Sequence, residues 1–131
     1  MIVDASAIVA FVMKEAGSGI YGPYLFSDTV PLFISAVNWW EVQARIIRHD
    51  KPDATRSLQF FQRGTRMELV AVDRGQTNIA IDAFRRFGKG RGHPAGLNLG
   101  DCFAYALAKT RNEPLLFNGD DFRHTDVRAA L

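Results

Sequence analysis

The chain has 131 residues, of which 47% are hydrophobic and 23% charged, so it has the length and apolar content of one domain covering residues 1–131. It contains no apolar run of about 18 residues, which excludes a membrane-spanning helix. The acid at position 4 argues against a signal peptide at the N-terminus. The net charge of +2 is too small to indicate a class of partner. The single cysteine, Cys102, excludes an internal disulfide and favours a cytoplasmic location.

The first third of the chain is predicted to contain two strands and two helices. The apolar run at residues 1–4 predicts a buried strand that ends in an acid, and residues 6–15 have the apolar spacing of a helix. The glycine-broken stretch that follows predicts a short helix around Tyr24–Ser27. Residues 31–35 predict the second strand.

The middle of the chain is predicted to be mainly helical. Residues 35–51 predict a long helix with Ser35 as its N-cap and Pro52 beyond its end. Residues 53–63 predict a further helix, with its apolar residues in the second half. Residues 67–73 alternate apolar and polar side chains and so predict a strand.

The last third repeats the alternation of helices and strands. Residues 75–88 predict a helix closed by a glycine, and a glycine-rich loop leads to a helix over residues 99–113. Residues 115–117 predict a short strand, a turn follows, and residues 123–131 predict a last strand or a frayed end. This alternation along the whole chain predicts an α/β fold with a parallel sheet and right-handed crossovers.

Acidic residues follow the predicted strands. Asp4 ends the first strand, Glu41 lies in the helix after the second, Asp101 opens the late helix, and Asp120 and Asp121 follow the last short strand. Ligands of open parallel sheets bind at the carboxyl ends of the strands. We therefore expect the first three acids and one of the last pair to converge.

Each acid also has a purely structural explanation. Asp4 could cap the next helix, Glu41 could pair with Arg45, and Asp101 has the spacing of a capping residue after Asn98. Their joint arrangement favours a site, because Glu41 lies between apolar neighbours and Asp101 opens a helix that is apolar on nearly every side. Crowded carboxylates repel one another unless a cation lies between them, and oxygen ligands without a His/Cys cluster indicate Mg²⁺ or Mn²⁺.

Four motifs together resemble the PIN-domain ribonucleases, and more narrowly the VapC toxins of bacterial toxin–antitoxin pairs. The motifs are "MIVDASAIVA" at the N-terminus, "NWWEVQ" near position 41, "GHPAGLNLGDCFAYALAK" at 92–109 and "LLFNGDDFRHTDV" at 115–127. The resemblance covers nearly the whole chain, and the last two motifs are its most specific part. It implies a three-layer α/β/α fold with a central parallel sheet of about five strands.

The resemblance also implies roles for individual residues. The catalytic and metal-binding acids would be Asp4, Glu41, Asp101 and Asp121, and Ser6 would hydrogen-bond a metal ligand. The acid directly before Asp121 remains the alternative fourth acid. The implied activity is Mg²⁺- or Mn²⁺-dependent hydrolysis of single-stranded regions of tRNA, rRNA or mRNA, leaving a 5′-phosphate and a 3′-hydroxyl. The implied partners are a cognate antitoxin and a second copy of the chain in a homodimer.

Two further segments are candidates for contacts with these partners. The segment at 85–93 has no acid and contains Arg85, Arg86, Lys89 and Arg91, which predicts either a surface that binds RNA phosphates or a solvated loop. Near the N-terminus a second group predicts either ordinary core or a groove for an antitoxin helix. This group consists of Phe11, Tyr21, Tyr24, Leu25 and Phe26.

An acidic pocket that binds metal without nuclease activity is the competing function. A phosphotransferase with an aspartyl nucleophile typically has a second aspartate two residues after the first, where this chain has Ser6. A receiver-like signalling domain requires a lysine near the last strand, and "LLFNGDD" contains none. Both departures favour the ribonuclease.

Overall fold

The computed structural model describes residues 1–131 and shows a four-stranded parallel sheet. The strands are β1 (Ile2–Val3), β2 (Leu32–Ser35), β3 (Met67–Val70) and β4 (Leu115–Leu116). Their order in the sheet is β3-β2-β1-β4, and Ile2 is in register with Phe33 on one side and Leu115 on the other. The chain therefore builds the sheet outwards from β1 and then returns to its other side, which creates a switch point between β1 and β4.

Every helix predicted from the sequence is present. The six helices are α1 (Ala5–Val12), α2 (Gly22–Leu25), α3 (Ala36–His49), α4 (Pro52–Gly64), α5 (Arg74–Phe87) and α6 (Leu99–Arg111). Two 3-10 turns, Ser18–Tyr21 and Asp121–His124, complete the helical structure. The helix α4 begins at Pro52 itself, because the fixed φ of proline suits the first position of a helix.

The sheet separates two hydrophobic cores. Val3 and Leu116 belong to the core formed with α1, α3 and α4, whereas Ile2 and Leu115 belong to the core formed with α5 and α6. Neighbouring residues of a strand point to opposite faces, so even these two-residue strands contribute to both cores. The predicted three-layer α/β/α fold is confirmed.

Side-chain caps start four of the helices. Asp4 directly after β1, Ser35 at the end of β2, and Asp73 after β3 cap α1, α3 and α5, and each accepts a hydrogen bond from a backbone N–H of the first turn. Asn98 caps α6. Because α1 and α3 begin directly at the ends of strands, their first turns lie at the carboxyl edge of the sheet.

The C-terminal segment differs from the predicted fifth strand. Ala129 forms a single parallel bridge with Leu115, supported by hydrogen bonds from Leu115 N to Arg128 O and from Ala130 N to Leu115 O, both 2.9 Å. Only Ala129 is bridged to β4, so the segment makes a single contact with the edge of the sheet and does not form a strand. The sheet therefore has four strands instead of about five. No helix in the structure has the length and apolar character needed to cross a membrane.

Candidate active site

A cavity of about 150 Å³ lies at the carboxyl edge of the sheet, at the switch point between β1 and β4. Its polar lining comes from four separate parts of the chain and consists of Asp4, Ser6, Glu41, Arg45, Asn98, Asp101, Asn118 and Asp121. All the acids predicted to be catalytic thus face one space. A larger cavity of about 600 Å³, beside α1 and α4, has no acidic side chain in its lining and offers none of this chemistry.

Asp4 is the most buried of these acids, with 2% of its surface exposed. Its Oδ2 accepts hydrogen bonds from the backbone N–H of Ser6 (2.8 Å) and from the Ser6 hydroxyl. Its Oδ1 accepts a hydrogen bond from Nδ2 of Asn38 (3.1 Å). Burial raises the pKa of Asp4, and the hydrogen bonds from Ser6 act in the opposite direction. Asp4 therefore caps α1 and also forms part of the cavity wall.

Ser6 connects Asp4 with the loop that carries the fourth acid. Its hydroxyl donates to Asp4 and accepts a hydrogen bond from the backbone N–H of Asn118 (3.0 Å). The side chain of Asn118 in turn accepts a hydrogen bond from the Tyr21 hydroxyl (2.9 Å). The loop after β4 is thereby attached to the start of α1. The sequence-based role of Ser6 beside a metal ligand stays a prediction, and the contact with Asp4 is consistent with it.

Asp101 serves as a helix cap and as part of the cavity wall. The backbone N–H of Asn98 donates to its Oδ2 (2.8 Å), and the N–H of Asp101 donates to Oδ1 of Asn98 (2.9 Å), which completes a capping box. Burial and then the charge of Asp4 raise the pKa of Asp101 to about 7, although the hydrogen bond from Asn98 lowers it. The structural and the functional explanations of Asp101 are therefore compatible.

Glu41 reaches the cavity from the second turn of α3 and lies against the first turn of α6. The contact is so close that a Cβ on Gly100 would overlap Oε2 of Glu41. Burial and the charge of Asp4 raise the pKa of Glu41, whereas the charge of Arg45 lowers it. Arg45 lines the same cavity. The direct Glu41–Arg45 ion pair, which the spacing allowed as a structural explanation, is absent.

The structure distinguishes the two neighbouring acids after β4. Asp121 lines the cavity, whereas the side chain of Asp120 is 85% exposed and lies 3.5 Å from Nε of Arg123. Gly119, with φ of +102°, makes the turn that precedes them. Of the two, only Asp121 is placed with the other acids.

The charges of neighbouring acids help to raise the pKa of Asp4, Glu41 and Asp101. The charge of Asp121 acts on Asp4, and the charges of Asp4, Asp121 and Glu41 act on Asp101. A cation would relieve this repulsion. No three Asp, Glu, His or Cys side chains are placed to hold a metal ion together in this structure. Mg²⁺ commonly uses only one or two carboxylates and several waters, so this all-oxygen donor set fits Mg²⁺ or Mn²⁺ and does not fit a structural zinc site.

The basic segment lies outside the cavity. Its four candidate RNA-binding residues are Arg85, Arg86, Lys89 and Arg91. Asp82 lies 3.6 Å from Arg85 and 3.5 Å from Arg86, and Asp126 lies 3.4 Å from Arg86, so nearby acids balance these two charges. The two loop residues, Lys89 and Arg91, are exposed. RNA binding by this segment stays a prediction, with the loop as its better-placed part.

Two residues beside the acids were not anticipated from the sequence. Asn38 is fully buried and bonded to Asp4, and Gly100 makes room for Glu41. Their spacing in the sequence could have indicated them, because Asn38 precedes Glu41 by about one helical turn and Gly100 directly precedes Asp101.

Comparison with known proteins identifies the family. A family model described as PIN domain matches residues 1–128. The chain is 45% identical over 130 residues to VapC ribonuclease Mb2780c of Mycobacterium bovis. The aligned region covers 99% of this chain and 98% of that protein. It is 40% identical over 131 residues to ribonuclease VapC28 of Mycobacterium tuberculosis, covering 100% and 98% of the two chains. The chain belongs to the PIN-domain family, as the motifs predicted.

Solved structures show the same fold. VapBC2 from Rickettsia felis, solved with a DNA fragment from its promoter, gives a TM-score of 0.70 at 15% identity over 98% of this chain and 94% of that chain. VapC20 from Mycobacterium tuberculosis, described as a sarcin-ricin loop cleaving toxin, gives a TM-score of 0.72 at 13% identity. The match covers 96% of this chain and 95% of that chain. At these identities the similarity supports the fold alone.

Proposed function

We propose that this chain is a metal-dependent endoribonuclease that acts as the toxin of a type II toxin–antitoxin pair. The observation that carries the proposal is the convergence of four carboxylates on one cavity at the switch point of a PIN-family sheet. Relatives named ribonucleases at 45% and 40% identity support the reaction class. The proposed substrate is a single-stranded region of tRNA, rRNA or mRNA.

The proposed ligands of Mg²⁺ or Mn²⁺ are Asp4, Asp101 and Asp121. One or two of them would contact the ion directly and the rest would bind through water, because no three of these side chains are placed to hold it together. Glu41 is proposed to bind a second ion or to orient the attacking water. A divalent ion held by these oxygens would lower the pKa of a water and stabilise negative charge on the phosphate. The support from the structure is the donor chemistry and the mutual repulsion of the carboxylates.

The chain's own groups supply the remaining requirements of hydrolysis. In the reaction the water oxygen bonds to phosphorus and the bond from phosphorus to the 3′ oxygen breaks, which leaves a 5′-phosphate and a 3′-hydroxyl. Glu41, a partly buried carboxylate with a raised pKa, is suited to orient that water and to accept its proton. The guanidinium of Arg45, in the same cavity lining, is suited to donate hydrogen bonds to phosphate oxygens.

The proposed protein partners are a cognate antitoxin and a second copy of the chain. Of the group predicted as an antitoxin groove, Tyr21 and Leu25 are buried in the core, so they provide no open surface. The other three, Phe11, Tyr24 and Phe26, are only partly buried at its edge. The proposed location of the protein and its partners is the cytoplasm.

The cavity of about 600 Å³ beside α1 and α4 is the proposed antitoxin site. Phe11 and Phe60 form its apolar wall, and Phe60 is 68% exposed. Lys14 and Arg56 lie in the same lining. An amphipathic helix with apolar anchors and acidic neighbours would match this surface.

The deciding experiment is the cleavage of a cellular RNA pool by the purified protein. Wild type and Asp101→Asn are incubated with Mg²⁺, with Mn²⁺ and with EDTA. Discrete cuts with 5′-phosphate ends that disappear with EDTA and with Asp101→Asn are the expected result. Metal binding without any cleavage, in protein freed from its antitoxin, would favour the alternative of a metal-binding phosphotransfer or signalling domain.

A further inference from the structure

We propose that Asn38 and Gly100 are positioning residues of this site. They hold α3 against the start of α6 so that Asp4, Glu41 and Asp101 face the same cavity. Neither residue is part of the cavity lining, so neither is proposed to touch the metal or the RNA. The inference rests on the proposed function as a metal-dependent nuclease, and it concerns the residues that fix the arrangement of the carboxylates.

One buried nitrogen connects two parts of the site. Nδ2 of Asn38, a residue with 0% exposure, donates to Oδ1 of Asp4 (3.1 Å) and to the backbone oxygen of Gly100 (3.0 Å). The opposite orientation of the amide would place its oxygen against a carboxylate and a carbonyl, which is unfavourable. The bonds therefore fix both the rotamer of Asn38 and the distance between the end of β1 and the first turn of α6.

The bond to Gly100 also reaches Asp101. The carbonyl that Asn38 contacts belongs to the peptide unit between Gly100 and Asp101, and the N–H of that unit donates to Oδ1 of Asn98 (2.9 Å). The N–H of Asn98 then donates to the carboxylate of Asp101 (2.8 Å). A continuous chain of hydrogen bonds thus runs from Asp4 through Asn38 to the cap that orients Asp101.

Gly100 sets the position of Glu41. A Cβ at this residue would overlap Oε2 of Glu41 and lie 3.0 Å from its Cδ. The overlap involves the far end of a flexible side chain, so an alanine would displace the carboxylate and leave the backbone in place. The added Cβ would also lie 3.3 Å from Oδ1 of the capping Asn98, a contact that a small shift can accommodate. Alanine is the better helix former, so the main effect of Gly100→Ala is to move a proposed catalytic group.

Stability alone does not account for the Asn38 amide. Its Oδ1 is buried without a hydrogen-bond partner, and such an oxygen carries a desolvation cost that an apolar side chain of the same size avoids. What the amide supplies is the pair of bonds from Nδ2. Those bonds serve the orientation of the carboxylates.

Gln76 provides a matched control. It is also a buried amide (4% exposed) whose nitrogen donates to one backbone oxygen, that of Ala71 (3.1 Å), and whose Oε1 has no partner. It lies in the first turn of α5 and outside the cavity lining. Gln76→Leu therefore removes a comparable buried amide from a place where it positions no carboxylate.

The test compares Asn38→Leu, Gly100→Ala and Gln76→Leu with wild type. Mg²⁺ affinity is measured with MgCl₂ alone by calorimetry and by the rise in Tm, and kcat and KM are measured on one cleaved RNA. We expect Asn38→Leu to bind Mg²⁺ about 10- to 100-fold more weakly, and both Asn38→Leu and Gly100→Ala to lose kcat with KM nearly unchanged. Gln76→Leu leaves the Ala71 carbonyl without its hydrogen bond, so it should lose Tm and keep the Mg²⁺ affinity. Adding Glu41→Asp to Gly100→Ala shortens the displaced side chain and should restore part of kcat.

Wild-type Mg²⁺ affinity in folded Asn38→Leu, or wild-type kcat in Gly100→Ala, would overturn the proposal. An equal loss of Mg²⁺ affinity in Gln76→Leu would also overturn it, because the effect would then be general destabilisation. If Asn38→Leu does not fold, Gly100→Ala and its Glu41→Asp partner decide the question. A wild-type protein that neither binds Mg²⁺ nor cuts RNA refutes the proposed function itself, and the inference falls with it.

Discussion

Replacing Asp101 with asparagine is expected to raise the free energy of unfolding of the metal-free protein at neutral and alkaline pH. In the folded state, burial and the neighbouring carboxylates raise the pKa of Asp101 from 3.8 to about 7. Between these values the folded protein keeps a proton that the unfolded chain has released, so the free energy of unfolding falls as the pH rises. Below the lower pKa, Asp101 is protonated in both states and does not affect the free energy of unfolding. Above the upper pKa, it is ionised in both states and the folded protein carries the full cost of the buried charge.

The magnitude follows from the two pKa values. The interval from 3.8 to about 7 corresponds to about 4 kcal/mol, at about 1.4 kcal/mol for each unit of pKa. Asparagine retains an oxygen that can accept the hydrogen bond from the Asn98 N–H, but its neutral amide weakens the cap by about 1 kcal/mol. The expected change is a gain of about 3 kcal/mol near pH 8, which is roughly 10 °C in Tm, and a loss of about 1 kcal/mol near pH 4, where only the weaker cap remains.

The assay is urea unfolding of wild type and Asp101→Asn, in EDTA, at intervals between about pH 4 and pH 9. Asp120→Asn is the matched control, because its carboxylate is 85% exposed on the neighbouring loop and its removal should change the free energy by less than about 0.5 kcal/mol at every pH. In a second series, Mg²⁺ at about 100 times its Kd should add about 2.7 kcal/mol to wild type and less to Asp101→Asn.

Two results would refute this reasoning. A difference between wild type and Asp101→Asn that is the same at every pH would show that the substitution does not act through the charge. A variant less stable than wild type near pH 8 would show that the capping box contributes more than the buried charge costs.

Three further predictions concern the support of the site and its partners. Ser6→Ala removes the hydroxyl that joins Asp4 to the Asn118 N–H, so Mg²⁺ affinity measured by calorimetry should fall about 10- to 100-fold. An unchanged affinity would show that Ser6 does not support the metal ligand Asp4. Phe60→Asp should abolish co-purification with the cognate antitoxin, whereas Ile47→Asp, at another exposed apolar residue (73% exposed), should not. Retained co-purification of Phe60→Asp would exclude the cavity beside α1 and α4 as the antitoxin site. Replacing Lys89 and Arg91 with alanine should lower RNA affinity and reduce the slope of log K against log salt by about 1.4, and an unchanged slope would place the RNA elsewhere.

The secondary structure could be predicted where local chemistry decides it. The apolar run before Asp4, the cap at Ser35 and the Asn98–Asp101 spacing each act within a few residues, and the structure has a strand or a helix start at each of them. The C-terminal strand could not be predicted in the same way. Its pairing depends on its position beside β4 in the folded protein, and only Ala129 finds a partner there.

Local sequence also limited what could be predicted of the basic segment. Residues 85–93 contain no acid, which made Arg85 and Arg86 equivalent to the loop cations. The helix places Asp82, one turn earlier, beside both arginines, and folding brings Asp126 from the C-terminal segment beside Arg86. Charge balance depends on distance in space, so a window of the sequence does not reveal it.

Apolar periodicity, capping and turn chemistry act between near neighbours in the chain, and they account for the α/β alternation and the set of acids near strand ends. The position of Asp121 in the cavity, with Asp120 outside it, and the contacts of Asn38 and Gly100 between α3 and α6 are visible only in the folded structure. These outcomes depend on hydrogen bonds and close contacts between residues far apart in the chain. Such contacts are fixed to within a few tenths of an ångström by the packing of helices on the sheet, and local sequence does not specify that packing.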